Sequence, residues 1–339
     1  MLIFVTSAYP DAEPIESFLR LAVHGKRHRL TANANEADAI LFVENSRYHE
    51  DAFFSRLKHN PLVQKHRKRC FMYNEHDRPW CLLPGLYCSM PRRWFDNTRQ
   101  RATRYIRLLN PVDTSPSDQP DILFSFLGNS QIPLRRQLLR LKNPRAIIEE
   151  SSSFNAFFAK EHTNNHARYA DVLRRSKFVL CPRGSGTSSI RLFETLRAGR
   201  VPIIISDQWV APDGPNWSNC SLRVRERDIT EIAQIAADLE PRWAEMSSAA
   251  RHVWDDWFSD EVLFDRVGDA LAAITKERMI PEYVAQRIPS VPEWDWRLRR
   301  GFHHLRSHAF GSHTAQRRSS LVVDAKIAAP HATRSAQAE

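Results

Sequence analysis

The clearest indication of the fold lies in the stretch Ser176–Asp207, whose sequence is SKFVLCPRGSGTSSIRLFETLRAGRVPIIISD. Phe178–Cys181 is a short apolar run that predicts a buried strand, and the Pro and Gly residues after it predict a loop. Apolar side chains then recur at helical spacing from Ile190, and Gly199 occupies the position just past the expected helix end. Val201–Ile205 is an apolar run that predicts a second strand. The stretch therefore predicts a strand–loop–helix–strand unit with the right-handed crossover of a parallel sheet.

The same alternation of strands and helices continues on both sides of this unit, which predicts an α/β protein. Further strands are predicted at Leu2–Thr6, Ala39–Val43, Cys70–Tyr73, Ile122–Leu127 and Arg145–Glu149. Further helices are predicted at Pro14–Val23, Asp51–Leu57, Leu134–Leu141 and His166–Arg175. The proline-rich run PVDTSPSDQP predicts a linker at 111–120, between an N-terminal Rossmann-like domain at 1–110 and a second domain at 121–280. A basic aromatic segment follows at 281–310, and the composition of 311–339 predicts a disordered tail.

Composition and charge limit the classes of protein to consider. The chain has 339 residues, 42% of them hydrophobic and 26% charged, which is typical of a soluble globular protein. It has no apolar run of about 18 residues, so no transmembrane helix is expected. The five cysteines form no CxxC pair, which favours free thiols in a reducing compartment and a cytoplasmic protein. The net charge of +10 favours anionic partners: nucleic acid, an acidic membrane surface or a phosphorylated substrate.

The loop between the predicted strand and helix of this stretch, together with that helix, contains the candidate ligand-binding residues. In open α/β sheets, ligands bind outside the carboxyl ends of the strands, and the loop Pro182–Ser188 lies at such an end. The helix behind it offers free N–H groups to a phosphate, and Arg183 and Arg191 add positive charge. Glu194 lies one turn further along, where a carboxylate can accept hydrogen bonds from ribose hydroxyls, and Asp207 opens on the same crevice. Together these residues predict a nucleotide-sugar site.

Plainer interpretations of the same residues stay open at this point. Arg191 and Glu194 also fit an exposed helix pair of little energetic weight. Asp207 also fits a residue that caps the next turn, and Ser188 or Thr187 fits the helix cap. The motifs GxGxxG, GxxxxGK[ST], GxSxG and HExxH do not occur in the sequence, so dinucleotide-binding, P-loop, hydrolase and zincin functions lose their usual support.

The stretch resembles the signature of the exostosin family, glycosyltransferase family 47. The matching positions are Ser176, Lys177, Phe178, Leu180, Pro182, Gly184, Ser189, Arg191, Glu194, Gly199, Pro202 and Asp207. The likeness extends over about 121–275, through Phe126–Gly128 with Arg135 and through Pro212 with Asn216–Ser218. It implies a GT-B fold, in which two Rossmann-like domains face each other across a cleft. Arg200 departs from the family pattern, in which many members carry a small residue or cysteine, and this leaves the identity of the donor open.

The resemblance also implies an inverting transfer from a nucleotide-diphosphate sugar that uses no metal and no further cofactor. The residues expected to bind the donor are Arg135, Arg183, Gly184, Ser188, Ser189, Arg191 and Glu194. The general base is expected on the acceptor side, after an N-terminal strand. Asp77 in the run NEHDR is the first candidate, Glu44 is the second, and Asp207 is a further catalytic candidate from the second domain. His162 and His166 have helical i, i+4 spacing but no third ligand nearby, so no metal site is predicted.

The expected donor is a UDP-sugar, and the expected acceptor is a glycan or a lipid-linked glycoconjugate of a bacterial surface polysaccharide. The segment 281–310 suggests peripheral contact with the anionic inner face of a membrane. One alternative is a fucosyltransferase-like enzyme that uses GDP-fucose, although the run SIRLFE at Ser189–Glu194 lacks that family's Tyr-x-Thr-Glu-Lys motif. Another is a basic protein that binds nucleic acid or membrane, which leaves Ser176–Asp207 unexplained; no nucleic-acid partner is expected.

Overall fold

The structure, a computed structural model, describes residues 1–9, 13–45, 54–77, 79, 81–114, 119–151 and 163–285. Within these ranges no helix is long and apolar enough to cross a membrane. The predicted tail 311–339 and nearly all of the basic segment 281–310 lie outside the described residues, as do His162 and the start of the helix predicted at Asp51–Leu57. Of the basic segment, the structure describes only a short helix at its start.

The first half of the described chain forms a parallel sheet of six strands in the order β2-β1-β3-β4-β5-β6. The strands are β1 (Leu2–Thr6), β2 (Arg29–Leu30), β3 (Ala39–Glu44), β4 (Cys70–Asn74), β5 (Gly85–Tyr87) and β6 (Gln100–Ala102). The helices are α1 (Glu13–Ala22), α2 (Ser55–Lys58) and α3 (Pro61–Lys65). Every residue of β3 and β4 is buried, as expected for central strands of a parallel sheet that is covered on both faces.

The second half forms a parallel sheet of five strands in the order β11-β10-β9-β7-β8, again counted over the described residues. The strands are β7 (Ile122–Gly128), β8 (Ala146–Glu150), β9 (Ser176–Pro182), β10 (Val201–Ile205) and β11 (Leu222–Val224). The helices are α4 (Pro133–Leu138), α5 (Thr163–Arg175), α6 (Ile190–Arg197), α7 (Trp217–Cys220), α8 (Ile232–Leu239) and α9 (Trp243–Val253). The predicted GT-B architecture of two Rossmann-like α/β domains is therefore confirmed.

The unit around the quoted stretch has the predicted order, with one local correction. β9, α6 and β10 follow one another, and Gly199 has φ +54 just past the helix end. The helix cap is Ser189, which has an extended backbone and makes no side-chain capping bond, so the expectation of a cap at Ser188 or Thr187 is wrong. The short strands β2, β5, β6 and β11 were not predicted, because two or three residues are too few to show a periodicity.

The helix after the second sheet returns to the first. It is α10 (Asp260–Glu277), and it packs against α1 and β5. The Asp265 carboxylate accepts hydrogen bonds from three backbone N–H groups of the loop after α1, those of residues 26–28, at 3.0 to 3.1 Å. A Cβ at Gly268 would lie 2.3 Å from the ring of His28, so glycine allows this close approach. The range expected for the second domain, 121–280, thus includes a helix that packs on the first sheet. The last described helix is α11 (Glu282–Ala285).

Candidate functional site

The loop between β9 and α6 touches the carboxyl-end region of the first sheet. The hydroxyl of Thr187 donates to the backbone oxygen of Ser89 at 2.9 Å, and the Ser188 N–H donates to Ser89 Oγ at 3.3 Å. A Cβ at Gly186 would lie 2.6 Å from Ser89 Oγ and 2.8 Å from Asp77 Oδ1. The loop predicted to hold a phosphate therefore lies directly against the residues that follow β4 and β5.

The three predicted arginines lie around this loop, each with a different degree of pairing. Arg135 on α4 donates from Nε to the backbone oxygen of Arg183 at 3.3 Å and from Nη1 to Asn129 Oδ1 at 3.2 Å. Arg183 forms an ion pair with Glu226 at 2.8 Å. Arg191 donates to the backbone oxygen of Leu127, and its Nε is buried without a partner among the described residues.

The electrostatics of this group favour an anion. Burial and, to a smaller extent, the positive charges of Arg191 and Arg183 lower the pKa of Arg135 to about 10, although Asp77 acts in the opposite direction. A cation that is desolvated and close to other cations is stabilised when an anion lies next to it. Since Glu226 already neutralises much of the charge on Arg183, Arg135 and Arg191 carry most of the attraction for a ligand.

The loop also offers polar groups of its own. Gly184 lies next to Arg135, because a Cβ there would be 3.3 Å from Nη2 of that side chain. Ser188 is 4% exposed, and its Oγ has no hydrogen-bond partner within the described part of the chain. Ser189 is the N-cap of α6, and the first N–H groups of a helix are suited to an anion. The predicted donor residues other than Glu194 are therefore brought together.

Asp77 is the candidate base that the structure places beside the loop. Its Oδ1 accepts a hydrogen bond from the Tyr105 hydroxyl at 3.3 Å, and it interacts electrostatically with Arg135. The neighbouring Glu75 accepts a hydrogen bond from the Ile106 N–H, and burial raises its pKa to about 7. Sequence analysis missed Tyr105 and Ser89, because neither belongs to a motif and both meet Asp77 only through the tertiary fold.

The expected role of Glu194 at a ribose does not fit the structure. Its side chain is 2% exposed; Oε1 accepts the N–H of Asn110 at 2.6 Å and Oε2 accepts the hydroxyl of Tyr169 at 2.7 Å. Burial raises the pKa of this carboxyl. The alternative of an exposed pair with Arg191 is also wrong. Through its bond to Asn110, Glu194 instead connects α6 to the start of the segment that joins the two sheets.

Glu44 and Asp207 also have structural partners in place of the expected catalytic ones. Glu44 is buried at the end of β3, and its two oxygens accept hydrogen bonds from Ser7 Oγ at 2.9 Å and the Ala8 N–H at 2.8 Å. It therefore fixes the loop after β1. Asp207 Oδ1 accepts the N–H of Glu226 at 3.1 Å, and Glu226 lies 19 residues further along the chain and not in the adjacent turn that the sequence left open. Of the three catalytic candidates, Asp77 is the one that lies directly beside Gly186 of the phosphate loop.

The described residues hold no group of three or more His, Cys, Asp or Glu side chains arranged as metal ligands. The five cysteines have free thiols, and only Cys81 is not fully buried. The site as described thus offers guanidinium groups, a helix end, hydroxyls and one carboxylate. This set suits a doubly charged phosphate group and the removal of one proton.

Comparison with known proteins shows similarity to the exostosin family over part of the chain. Residues 85–239 match the Exostosin GT47 domain. An Exostosin-1 homolog of Caenorhabditis elegans is 37% identical over 103 residues, which are 29% of this chain and 27% of the relative. A protein of Arabidopsis thaliana named as a probable glycosyltransferase is 32% identical over 130 residues, which are 38% of this chain and 23% of the relative.

The matched region thus covers about a quarter of the length of these relatives. Among solved structures, HepE of Anabaena in complex with UDP has a TM-score of 0.37 and 11% identity, over 80% of this chain and 99% of HepE. The range matched by the family model includes the loop, the three arginines and α6. Residues 85–239 match the Exostosin GT47 domain, so the exostosin-like character predicted from the sequence is confirmed over this range.

Proposed function

We propose that the protein is an inverting glycosyltransferase that moves a sugar from a nucleoside-diphosphate donor, with a UDP-sugar favoured, to a hydroxyl of a glycan or glycoconjugate. The observation that carries the proposal is the contact between the loop Arg183–Ser189 of one sheet and Asp77 of the other. This contact supports the proposal because the loop that we expect to bind the diphosphate lies within a few ångströms of a carboxylate. The exostosin GT47 match over residues 85–239, which include this loop, supports the assignment.

The diphosphate is proposed to bind at the start of α6. Arg135 and Arg191 face its negative charge, Ser188 Oγ donates a hydrogen bond, and the first N–H groups of the helix complete the site. When the donor bond breaks, the leaving diphosphate gains charge that these groups stabilise. The guanidinium groups thereby take the part that a divalent cation plays in other transferases, so the proposal includes no metal.

The transfer step involves one bond formed and one broken. The acceptor oxygen attacks the anomeric carbon, the bond from that carbon to the phosphate oxygen breaks, and its electron pair leaves with the diphosphate. The acceptor proton goes to the carboxylate of Asp77. Since Glu194 is occupied by protein donors, recognition of the ribose is not assigned to it.

The acceptor and the location are further parts of the proposal. A polysaccharide or lipid-linked glycan of a bacterial surface is the acceptor we favour, with the protein in the cytoplasm and in peripheral contact with an anionic membrane. The net charge of +10 supports contact with an anionic surface. Vesicle sedimentation with and without anionic lipid tests the membrane contact, and no enrichment on anionic vesicles contradicts it.

The decisive experiment measures thermal stability with UDP, GDP, CMP, ADP and UMP, in EDTA throughout. A nucleotide at about 100 times its Kd adds about 2.7 kcal/mol to the stability. This raises the Tm by a few degrees, at about 2–4 °C per kcal/mol or somewhat less for a chain of this size. The variant Arg135→Gln is expected to weaken binding of UDP about tenfold to a hundredfold, because a charge-assisted hydrogen bond is lost.

The neighbouring Arg136 provides a matched control. It lies on the same helix, is exposed, and donates only to backbone oxygens of the preceding turn. The variant Arg136→Gln is expected to bind UDP as the wild type does. A shift with GDP alone points to a GDP-sugar donor. No shift with any of the five nucleotides refutes the proposed function.

A further inference from the structure

We propose that Tyr105 is a positioning residue for Asp77 and that it acts through a chain of hydrogen bonds that starts at the donor loop. The chain runs from the Ser188 N–H through the hydroxyls of Ser89 and Tyr105 to the Asp77 carboxylate. The inference rests on the proposed function, because there Asp77 accepts the proton of the attacking hydroxyl. Beyond that function, we infer that the orientation of Asp77 depends on the position of the loop relative to Ser89.

Each of the four groups in this chain lies within hydrogen-bond distance of the next. Tyr105 is 7% exposed, and its hydroxyl lies 2.7 Å from Ser89 Oγ and 3.3 Å from Asp77 Oδ1. Ser89 is 1% exposed, and its Oγ lies 3.3 Å from the Ser188 nitrogen. The backbone oxygen of Ser89 also accepts the Thr187 hydroxyl at 2.9 Å, so two bonds hold the loop on this residue.

The chemistry of the two ends fixes the direction of every bond. A backbone N–H only donates, and an ionised carboxylate only accepts. Ser188 therefore donates to Ser89, whose own proton points to the oxygen of Tyr105, whose proton points to Asp77. Burial raises the pKa of Tyr105 well above its usual range, so this hydroxyl keeps its proton as a donor.

Two consequences follow for Asp77. A hydrogen bond to a carboxylate favours its charged form, and the Tyr105 hydroxyl adds this effect to the attraction between Asp77 and Arg135. The same bond contributes to the orientation of the Asp77 side chain, which is exposed beside the loop. Because Ser188 is also a proposed phosphate ligand, displacement of the loop by a ligand or a substitution is transmitted to the base.

The test compares the pH dependence of kcat/KM for sugar transfer in the wild type and in Tyr105→Phe. The variant is expected to lose about tenfold in kcat, and its acidic limb is expected to move up by about one pH unit, because the charged form of Asp77 loses a donor. The KM for the donor sugar should stay within about twofold, since Tyr105 is not one of the residues proposed to bind the diphosphate. Ser89→Ala should shift the limb in the same direction.

Tyr73→Phe is the matched control. Tyr73 is a fully buried tyrosine of β4, and its hydroxyl donates to the backbone oxygen of Arg104 at 2.6 Å. This change removes the same atom from the same domain without touching Asp77, so the acidic limb should not move. A pH profile of Tyr105→Phe that superimposes on that of the wild type overturns the inference. If Tyr105→Phe does not fold, Ser89→Ala carries the same test.

A second measurement separates this inference from the proposed function. In a double-mutant cycle of Tyr105→Phe and Asp77→Ala, the unfolding free energies should be non-additive if the two side chains are bonded. An additive cycle overturns the inference whatever the activity. The two results can also differ. If the cycle is non-additive but the wild type transfers no sugar from any donor, the pairing of these residues is supported and the proposed function is refuted.

Discussion

Replacing Glu44 by glutamine is expected to remove a pH-dependent loss of stability from this protein. Burial raises the pKa of Glu44 from 4.5 to about 7 in the folded chain. Below pH 4.5 both folded and unfolded chains hold the proton. As the pH rises toward 7, the unfolded chain releases it while the folded chain keeps it, so the free energy of unfolding falls. Two and a half pKa units correspond to about 3 kcal/mol.

Glutamine fits the same position without this dependence. Its carbonyl oxygen accepts the N–H of Ala8, and its amide group donates to Ser7 Oγ, which in turn donates to the backbone oxygen of Tyr9. Urea denaturation of the wild type and Glu44→Gln at pH 4, 6 and 8 measures the effect. Between pH 4 and pH 8, the free energy of unfolding of the variant should rise by about 3 kcal/mol relative to that of the wild type. A difference that stays constant over this range refutes the reasoning.

Two further changes test the roles assigned to site residues. Glu194→Ala leaves the N–H of Asn110 and the hydroxyl of Tyr169 without an acceptor and should cost about 2–5 kcal/mol in urea denaturation. Glu194→Gln should bind UDP as the wild type does, and loss of UDP binding in a stably folded variant would restore the ribose role. Gly186→Ala places a methyl group 2.6 Å from Ser89 Oγ, so the loop must shift, and sugar transfer should fall at least about tenfold with little change in Tm. Transfer at the wild-type rate would contradict the closeness of the two domains at this loop.

The strands with apolar runs were predictable because a strand that is buried on both faces consists almost entirely of apolar residues. Val201–Ile205 has no polar residue, and its bounds agree with those of β10. Gly199 was predictable because a helix end commonly needs a residue at positive φ. β6, with the sequence QRA, gave no such signal, since its place in the sheet comes from pairing with β5.

The site was only partly predictable, for a physical reason that Glu194 illustrates. Helical spacing placed it one turn from Arg191, where a carboxylate suits a ribose. Its actual partners are 84 and 25 residues away in the chain, and only the packed fold shows that they occupy both oxygens. Tyr105 meets Asp77 in the same way, across 28 residues. A sequence pattern gives the chemical type of a residue, whereas its availability depends on tertiary neighbours.

The path of the chain has a practical consequence for making fragments of this protein. The family match begins at Gly85, the first residue of β5, and ends at residue 239, before α10. A fragment expressed with these limits would contain two strands of a six-stranded sheet, without β4 beside them and without the helix that covers β5. Its apolar surfaces would face water, and aggregation is the expected result. The range of the family match is therefore shorter than the range needed to fold, and an expressed fragment should include β4 and α10.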